Sequence, residues 1–136
     1  MYYTLESEKY PGKPYNLDDN PDSSQKYIGY GFEMRAPNIT KAVNETKGQI
    51  VTYNGQLIKT PYFNQSDGTK TKSGLEVFKW DLPYLVSVDD SYCKADKFLG
   101  HGVGLSGCGA TGMANLGFTY KQILQHYYTG TQISQK

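Results

Sequence analysis

Long apolar runs, clustered basic residues and cysteine motifs are all absent from this sequence of 136 residues. No stretch approaches the roughly 18 consecutive apolar residues that a membrane-spanning helix needs. The 14 basic residues are scattered singly and leave a net charge of only +1, which argues against a surface dedicated to nucleic acid. Acidic residues interrupt residues 1–30, so we predict no signal peptide, and an export signal is expected outside this sequence.

The sequence contains only two cysteines, Cys93 and Cys108, which lie 15 positions apart. Because two cysteines do not make a disulfide framework, two free buried thiols are slightly favoured over a disulfide, which would contribute about 3 kcal/mol. Together with His101 and His126 they give four residues that could bind zinc. No pair of them, however, has the C-x-x-C or H-x-x-x-H spacing typical of zinc sites. We therefore expect no metal site and no cofactor.

Tyrosine and glycine are abundant, with 13 and 15 copies in a chain whose length fits one domain. Tyrosine combines a flat apolar face with a hydroxyl group, which suits half-buried sheets and also carbohydrate surfaces. Residues 1–24 are predicted to be a poorly ordered segment, with a short ordered start at Tyr2–Leu5 and then a loop rich in turn-forming residues.

The first regular element after this segment is a short helix predicted over Pro37–Thr46, with Gly48 just past its end. Its apolar stripe consists of Ile39, Ala42 and Val43. A β-hairpin follows, with strands Gln49–Tyr53 and Gln56–Phe63 joined by Asn54-Gly55, the pair typical of a type I′ turn. Pro61 limits how far the second strand can pair. Downstream we expect a polar loop and two short strands: Ser66–Gly74, Val77–Trp80 and Tyr84–Val88.

Two helices are predicted near the C terminus. The first, over Leu105–Leu116, consists almost entirely of small residues. Since each interior glycine costs about 1 kcal/mol, this helix is plausible only if another backbone packs closely against it. The second begins at a capping box formed by Thr119 and Gln122 and stops at Gly130. Its apolar stripe consists of Tyr120, Ile123, Leu124 and Tyr127. The predicted fold class is α+β: a small antiparallel sheet built on the hairpin, with short helices, two of them C-terminal.

A glycine-rich loop over Gly100–Ser106 is the best candidate for a functional site, because glycines let a backbone approach a ligand closely. The loop satisfies G-x-G-x-x-G, but no good strand precedes it and no acidic residue follows it, so dinucleotide binding is not expected. For His101 a structural role in the turn and a polar contact in a cleft both stay open. A hydrolase that uses the Cys108 thiol beside His101 is a further alternative.

The glycine-rich loop and the two helices after it contain a series of residues that together form a recognisable signature. These residues are His101-Gly102-Val103-Gly104-Leu105-Ser106, Gly109-Ala110, Gly112-Met113-Ala114, Gly117, Tyr120, Ile123-Leu124, Tyr127-Tyr128 and Gly130. Weaker matches lie upstream at Gln25, Tyr27, Gly29 and within segments 42–58, 63–71 and 83–88. Together they resemble the C-terminal part of the stage II sporulation protein D (SpoIID)/LytB family domain. We therefore interpret residues 25–136 as a partial SpoIID-like domain.

The resemblance implies a bacterial cell-wall module that acts on peptidoglycan glycan strands outside the cytoplasm. Better-known members of the family are lytic transglycosylases, in which one protonated carboxylic acid cleaves the strand and leaves a 1,6-anhydro end. The helix that carries this glutamate is expected upstream, and Met1–Leu5 resembles the far end of that helix. The chain alone is therefore expected to bind glycan without cutting it. Residues 18–25 lack the cysteine and histidine with which some members bind zinc.

The resemblance also implies a glycan-binding cleft lined by loop residues: Ser66, Thr71, His101, Gly102, Gly104 and Ser106. Tyrosines or Trp80 are expected to stack on the sugar faces. The expected partner is the peptidoglycan glycan strand. The alternative is a non-catalytic enhancer module that binds the wall and recruits an amidase or another hydrolase.

Overall fold

The computed structural model describes residues 10–15, 18–20 and 30–136 of the chain. Three predictions fall outside these residues: the helix end at Tyr2–Leu5, most of the segment 1–24, and the weak family matches Gln25, Tyr27 and Gly29. The chain divides into two compact units, one comprising residues up to Gln49 with Gln135–Lys136, and the other Ile50–Ser134. None of the described helices is long and apolar enough to cross a membrane.

The first unit contains helices α1 (Tyr30–Arg35) and α2 (Pro37–Glu45), and α2 confirms the helix predicted there. Proline suits the first turn of α2 because its missing N–H would have no partner at that position. The helix ends at Thr46, and Gly48 adopts a φ of 78° that lets the chain turn away. The backbone N–H of Lys136 then bonds to the Gly48 carbonyl at 2.8 Å. No residue of α2 is buried, so its apolar stripe faces solvent.

The predicted hairpin is confirmed by β1 (Gln49–Tyr53) and β2 (Gln56–Leu57). Asn54 and Gly55 have φ values of 50° and 75°, as a type I′ turn requires. The antiparallel register pairs Thr52 with Leu57 and Tyr53 with Gln56. A late strand, β5 (Gln132–Gln135), joins the other edge of β1, which gives the strand order β2-β1-β5.

The second strand of the hairpin was predicted to run to Phe63, and this is wrong beyond Leu57. Pro61 lacks the N–H that would continue the ladder. Residues Tyr62–Phe63 instead form β3, which pairs in parallel with β4 (Leu105–Ser106). The carbonyl of Pro61 accepts a hydrogen bond of 3.2 Å from the N–H of Leu105. This pairing brings the glycine-rich loop alongside the segment that follows the hairpin.

The strand predicted over Val77–Trp80 is wrong, because Val77 and Phe78 are the last residues of helix α3 (Gly74–Phe78). The Oγ of Ser73 accepts a hydrogen bond of 3.1 Å from the N–H of Glu76, which caps the first turn. Lys79 adopts a left-handed conformation with φ 59° and ends the helix. The spacing of Ser73 and Glu76 matches the S-x-x-E helix start, a signal that outweighs the β-propensity of the residues after it.

The strand predicted over Tyr84–Val88 is also wrong. The N–H of Leu85 bonds to the Leu82 carbonyl at 2.9 Å, which closes a turn, and the Leu85 carbonyl accepts from Gly74 at 2.8 Å. Tyr84 and Leu85 are both buried although they are neighbours in sequence. A strand would point them to opposite faces of a sheet, whereas the turn directs both into the core.

The two C-terminal helices are confirmed as α4 (Gly107–Asn115) and α5 (Tyr120–Tyr127). The expected close approach to α4 is also present, because a Cβ added at Gly112 would overlap the carbonyl oxygen of Tyr92. Helix α5 has the predicted capping box of Thr119 and Gln122, in which each side chain bonds the other residue's backbone. Helix α5 therefore begins at a local signal in the sequence, whereas α4 also depends on a close contact with a distant segment.

Cys93 and Cys108 form a disulfide, with their Cα atoms 5.0 Å apart. The expectation of two free thiols is therefore wrong. Since glycines in α4 allow the chain at Tyr92 to lie directly against the helix, the two cysteines are brought within bonding distance. Sequence spacing gives no information on this approach.

The hydrophobic core lies within the second unit and joins residues from the hairpin, the turn after α3, the glycine-rich loop and both C-terminal helices: Ile58, Tyr84, Leu85, Val103, Met113, Ile123, Tyr127 and Tyr128. The predicted α+β fold class is confirmed, with short helices and a small antiparallel sheet of three strands. The parallel pair of β3 and β4 is an addition that the sequence did not indicate.

Candidate functional site

The glycine-rich loop is held in place by backbone contacts with the segment that follows the hairpin. Gly104 has a φ of 76°, and a Cβ there would overlap the carbonyl oxygen of Pro61. On the other side of the loop, the N–H of Lys72 bonds to the carbonyl of Gly102 at 2.8 Å. Glycine is required at both loop positions because the backbone is left-handed and closely packed.

The ring of His101 is half-buried beside two aromatic rings, with ring-centre distances of 5.9 Å to Phe63 and 5.0 Å to Phe78. Its Nδ1 accepts a hydrogen bond of 3.0 Å from the backbone N–H of Val103. Burial lowers the pKa of the imidazole below its usual value of 6.5, while a hydrogen bond with the backbone of Tyr62 acts in the opposite direction. His101 is therefore a neutral, oriented ring at pH 7 that stabilises the turn of the loop through Val103, while its contact with a ligand stays a prediction.

Phe63 and Phe78, which contact His101, each contact one further ring, and we call the four rings the aromatic cluster: Phe63, Phe78, Trp80 and Phe98. The ring centres of Phe78 and Trp80 are 4.6 Å apart, and those of Phe63 and Phe98 are 6.2 Å apart. Phe63 is buried, whereas the other three rings are half-buried and keep part of their surface in solvent. Such rings provide flat apolar surfaces for ligand contact.

Two lysines lie over rings of the aromatic cluster. The Nζ of Lys59 is 4.3 Å from the centre of the Trp80 ring, and the Nζ of Lys72 is 4.9 Å from the centre of the Phe98 ring. An ammonium group over an aromatic face is attracted by the ring quadrupole. The site therefore combines apolar faces with positive charge, which suits a ligand that has both apolar faces and an anionic group.

The three hydroxyl residues predicted for the cleft are buried, and each hydroxyl oxygen accepts a hydrogen bond from the backbone. The donors are the N–H groups of Gly68 for Ser66, Val88 for Thr71 and Gly109 for Ser106, at 3.1, 3.0 and 3.1 Å. Ser106 thereby caps helix α4. These residues shape the two loops from inside, while His101 lies nearer the surface; glycan binding by the six predicted residues stays a prediction.

Several features of the site have no clear signal in the sequence. The aromatic cluster joins residues from β3, α3 and the segment before the glycine-rich loop, which are far apart in the chain.

The disulfide removes the free thiol that a Cys108 hydrolase needs, which contradicts that alternative. Among the residues that the structure describes, no three His, Cys, Asp or Glu side chains are grouped so as to hold a metal ion.

Comparison with known proteins supports the SpoIID/LytB resemblance. The chain is 38% identical over 73 residues to the amidase enhancer of Bacillus subtilis, a match covering 52% of the chain and 10% of the relative. It is 36% identical over 70 residues to stage II sporulation protein D of the same organism, covering 52% of the chain and 20% of that protein.

An uncharacterized protein of Brachyspira hyodysenteriae is 46% identical over 96 residues, which cover 70% of the chain and 24% of that protein. No model of a known protein family matches the chain. The matched region thus spans about a tenth to a quarter of the length of these curated relatives. Over about half of its length the chain is a homologue of stage II sporulation protein D and the amidase enhancer, which confirms the predicted SpoIID/LytB resemblance.

Proposed function

We propose that this chain is a cell-wall domain that binds peptidoglycan glycan strands through the His101 loop and the aromatic cluster. The observation that carries the proposal is the pair of half-buried rings under lysine ammonium groups, Trp80 under Lys59 and Phe98 under Lys72. A glycan strand stripped of its stem peptides has apolar sugar faces and one carboxylate on each muramic acid. Both features are complementary to this surface.

The homologues support a cell-wall-related role, since one is named an amidase enhancer and the other a stage II sporulation protein. The disulfide between Cys93 and Cys108 supports an extracytoplasmic location, because disulfides persist in oxidising compartments and are rare in the cytosol. Location and ligand are both parts of the proposal.

The chain has a single tryptophan, Trp80, so its fluorescence reports directly on the aromatic cluster. Titration with soluble, peptide-free glycan fragments should shift the emission of Trp80 in a saturable way, and the chain should sediment with insoluble strands. Lys59→Gln should weaken binding several-fold by removing the ammonium group beside Trp80. Lys121→Gln is the matched control, because Lys121 lies 5.9 Å from the Tyr120 ring on a different element.

Unchanged fluorescence together with an empty glycan pellet would contradict the proposal. Equal weakening by both lysine substitutions would indicate nonspecific attraction between charges instead of binding at the cluster. Mass spectrometry of the same supernatant for 1,6-anhydromuramyl ends measures whether binding is accompanied by cleavage.

A second candidate function is supported by the name of one homologue, the amidase enhancer. In this case the domain binds the wall and also recruits a cell-wall amidase. A purified amidase should then be retained by the immobilised chain in the absence of glycan. Retention that requires added glycan would argue for a shared substrate without a direct contact between the two proteins.

A further inference from the structure

A second surface, separate from the His101 loop, surrounds a groove of about 380 Å³ against helix α4. The groove is lined by Ser91, Tyr92, Lys94, Gly112, Asn115 and Leu116. Its volume lies at the small end of the range for ligand pockets, roughly 300–1,000 Å³. It therefore accommodates a single sugar ring with its substituents more readily than an extended strand.

The position of the groove depends on two features that hold the chain near Tyr92 against α4. The missing side chain of Gly112 allows the Tyr92 carbonyl to lie next to the helix. The disulfide between Cys93 and Cys108 anchors the next residue to the first turn of the same helix. The walls of the groove are thus fixed by a covalent bond and by backbone packing, so the groove is preformed.

One wall of the groove is apolar and exposed. Leu116 has 69% of its surface in solvent, and Phe118, which packs edge-to-face on Tyr92 at 5.8 Å, has 37%. These side chains extend the apolar wall beyond the groove itself. An apolar wall beside polar groups matches the two kinds of surface on an N-acetylated sugar, whose ring face and acetyl methyl are apolar.

The polar side of the groove has unused hydrogen-bonding capacity and a positive charge. The side-chain amide of Asn115 makes no hydrogen bond with any other residue that the structure describes. Lys94 donates one hydrogen bond of 2.9 Å to the Ser91 carbonyl, and its remaining N–H groups are left for a ligand. Lys94 is the only ionisable side chain besides Tyr92 in the lining, and the nearby Asp89 carboxylate already accepts from Ser91.

We infer that this groove is a subsite for one N-acetylated sugar that carries a carboxylate, the chemistry of a muramyl residue. Lys94 pairs with the carboxylate, Asn115 bonds the acetamido group, and Leu116 with Tyr92 covers the apolar face. The inference rests on the proposed function and adds a second glycan-binding surface to it.

The test uses two soluble monosaccharides, N-acetylmuramic acid and N-acetylglucosamine, which lacks the carboxylate. Titration of ¹⁵N-labelled protein with N-acetylmuramic acid should shift the amide signals of Ser91–Lys94 and Gly112–Leu116. N-acetylglucosamine should bind about tenfold more weakly, since a charge-assisted hydrogen bond is lost. Lys94→Gln should reduce the affinity for N-acetylmuramic acid to that of N-acetylglucosamine, whereas the exposed Lys97→Gln, nearby in sequence, should leave it unchanged.

Absence of these amide shifts, or equal affinities for the two sugars, would overturn the inference. Failure of the inference is distinguishable from failure of the proposed function because Trp80 reports on the aromatic cluster alone. A glycan fragment that shifts Trp80 emission without moving the amides at the groove would eliminate the subsite and keep the function. A fragment that affects neither signal would eliminate both.

Discussion

Tyr127 donates a hydrogen bond of 2.6 Å from its phenolic oxygen to Oδ1 of Asp90, and neither side chain has any surface in solvent. Burial, followed by this hydrogen bond, raises the pKa of Tyr127 far above its ordinary range, so its proton is kept. Oδ2 of Asp90 has no partner among the described residues. The pair joins helix α5 to the chain segment that leads into the disulfide.

Tyr127→Phe should destabilise the protein, because the substitution removes the one side-chain donor that the buried carboxyl group of Asp90 has among the described residues. The expected loss is about 1–3 kcal/mol in the free energy of unfolding, measured by urea denaturation. Tyr120→Phe, on the same helix but 45% exposed, is the matched control and should change stability little. Equal stability of the Tyr127→Phe variant and the unmodified protein would show that the pair contributes nothing.

Breaking the disulfide should also destabilise the protein. The bond between Cys93 and Cys108 closes a loop with a sequence separation of 15, for which the expected contribution is about 3 kcal/mol. Urea denaturation with and without a strong reductant measures this difference. A Cys93→Ala/Cys108→Ala variant should show the same loss without any response to reductant. A reductant effect that persists in this variant would have to come from something other than the disulfide.

Gly112→Ala should reverse the usual effect of placing alanine in a helix. Alanine is favoured over glycine by about 1 kcal/mol in a helix interior, but here its Cβ would overlap the Tyr92 carbonyl. We expect a net destabilisation of about 1–3 kcal/mol, typical of overpacking, in thermal or urea unfolding. Thr111→Ala, exposed on the same helix, adds nothing towards Tyr92 and should stay within about 0.5 kcal/mol. A stabilised Gly112→Ala variant would show that the helix is free to move away.

The stability of the protein should depend on pH through His101. Its folded-state pKa lies below the unfolded value because the ring is partly buried, so the unfolded state binds a proton first as the pH falls. The free energy of unfolding should therefore be constant above about pH 7.5 and should fall as the pH drops through 6.5 towards the folded pKa.

Urea denaturation at a series of pH values between about 8 and 5 measures this dependence. His101→Gln should flatten the slope in this window, whereas His126→Gln should retain the part due to His101. A slope that survives in His101→Gln would assign the dependence to another group.

Local signals in the sequence predicted the elements whose residues determine their own conformation. Asn54-Gly55 specified a turn because both residues accept positive φ, and Thr119 with Gln122 marked the start of α5 by satisfying backbone groups within one turn. The S-x-x-E start of α3 at Ser73 is equally local, but the prediction of a strand over Val77–Trp80 did not take it into account. This error therefore came from a missed signal and not from the absence of one.

Other features depended on contacts between distant segments. The second hairpin strand was predicted as one unit, yet Tyr62–Phe63 pairs with Leu105–Ser106, about forty residues further along the chain. The hydroxyl groups of Ser66 and Ser106 were expected in a cleft, but their hydrogen bonds to nearby N–H groups place them in the interior. Nothing in the sequence around Asp90 distinguishes it from a surface turn residue.

The sequence by itself determined the α+β class, the hairpin turn, both C-terminal helices and the SpoIID/LytB homology, because turns, caps and apolar periodicity act over a few residues. Only the tertiary structure decided the disulfide, the aromatic cluster around His101 and the burial of the Asp90–Tyr127 pair. Each of these needs two or more distant segments to meet. The meeting is made possible by glycines such as Gly104 and Gly112, where the absence of a side chain lets two backbones approach each other.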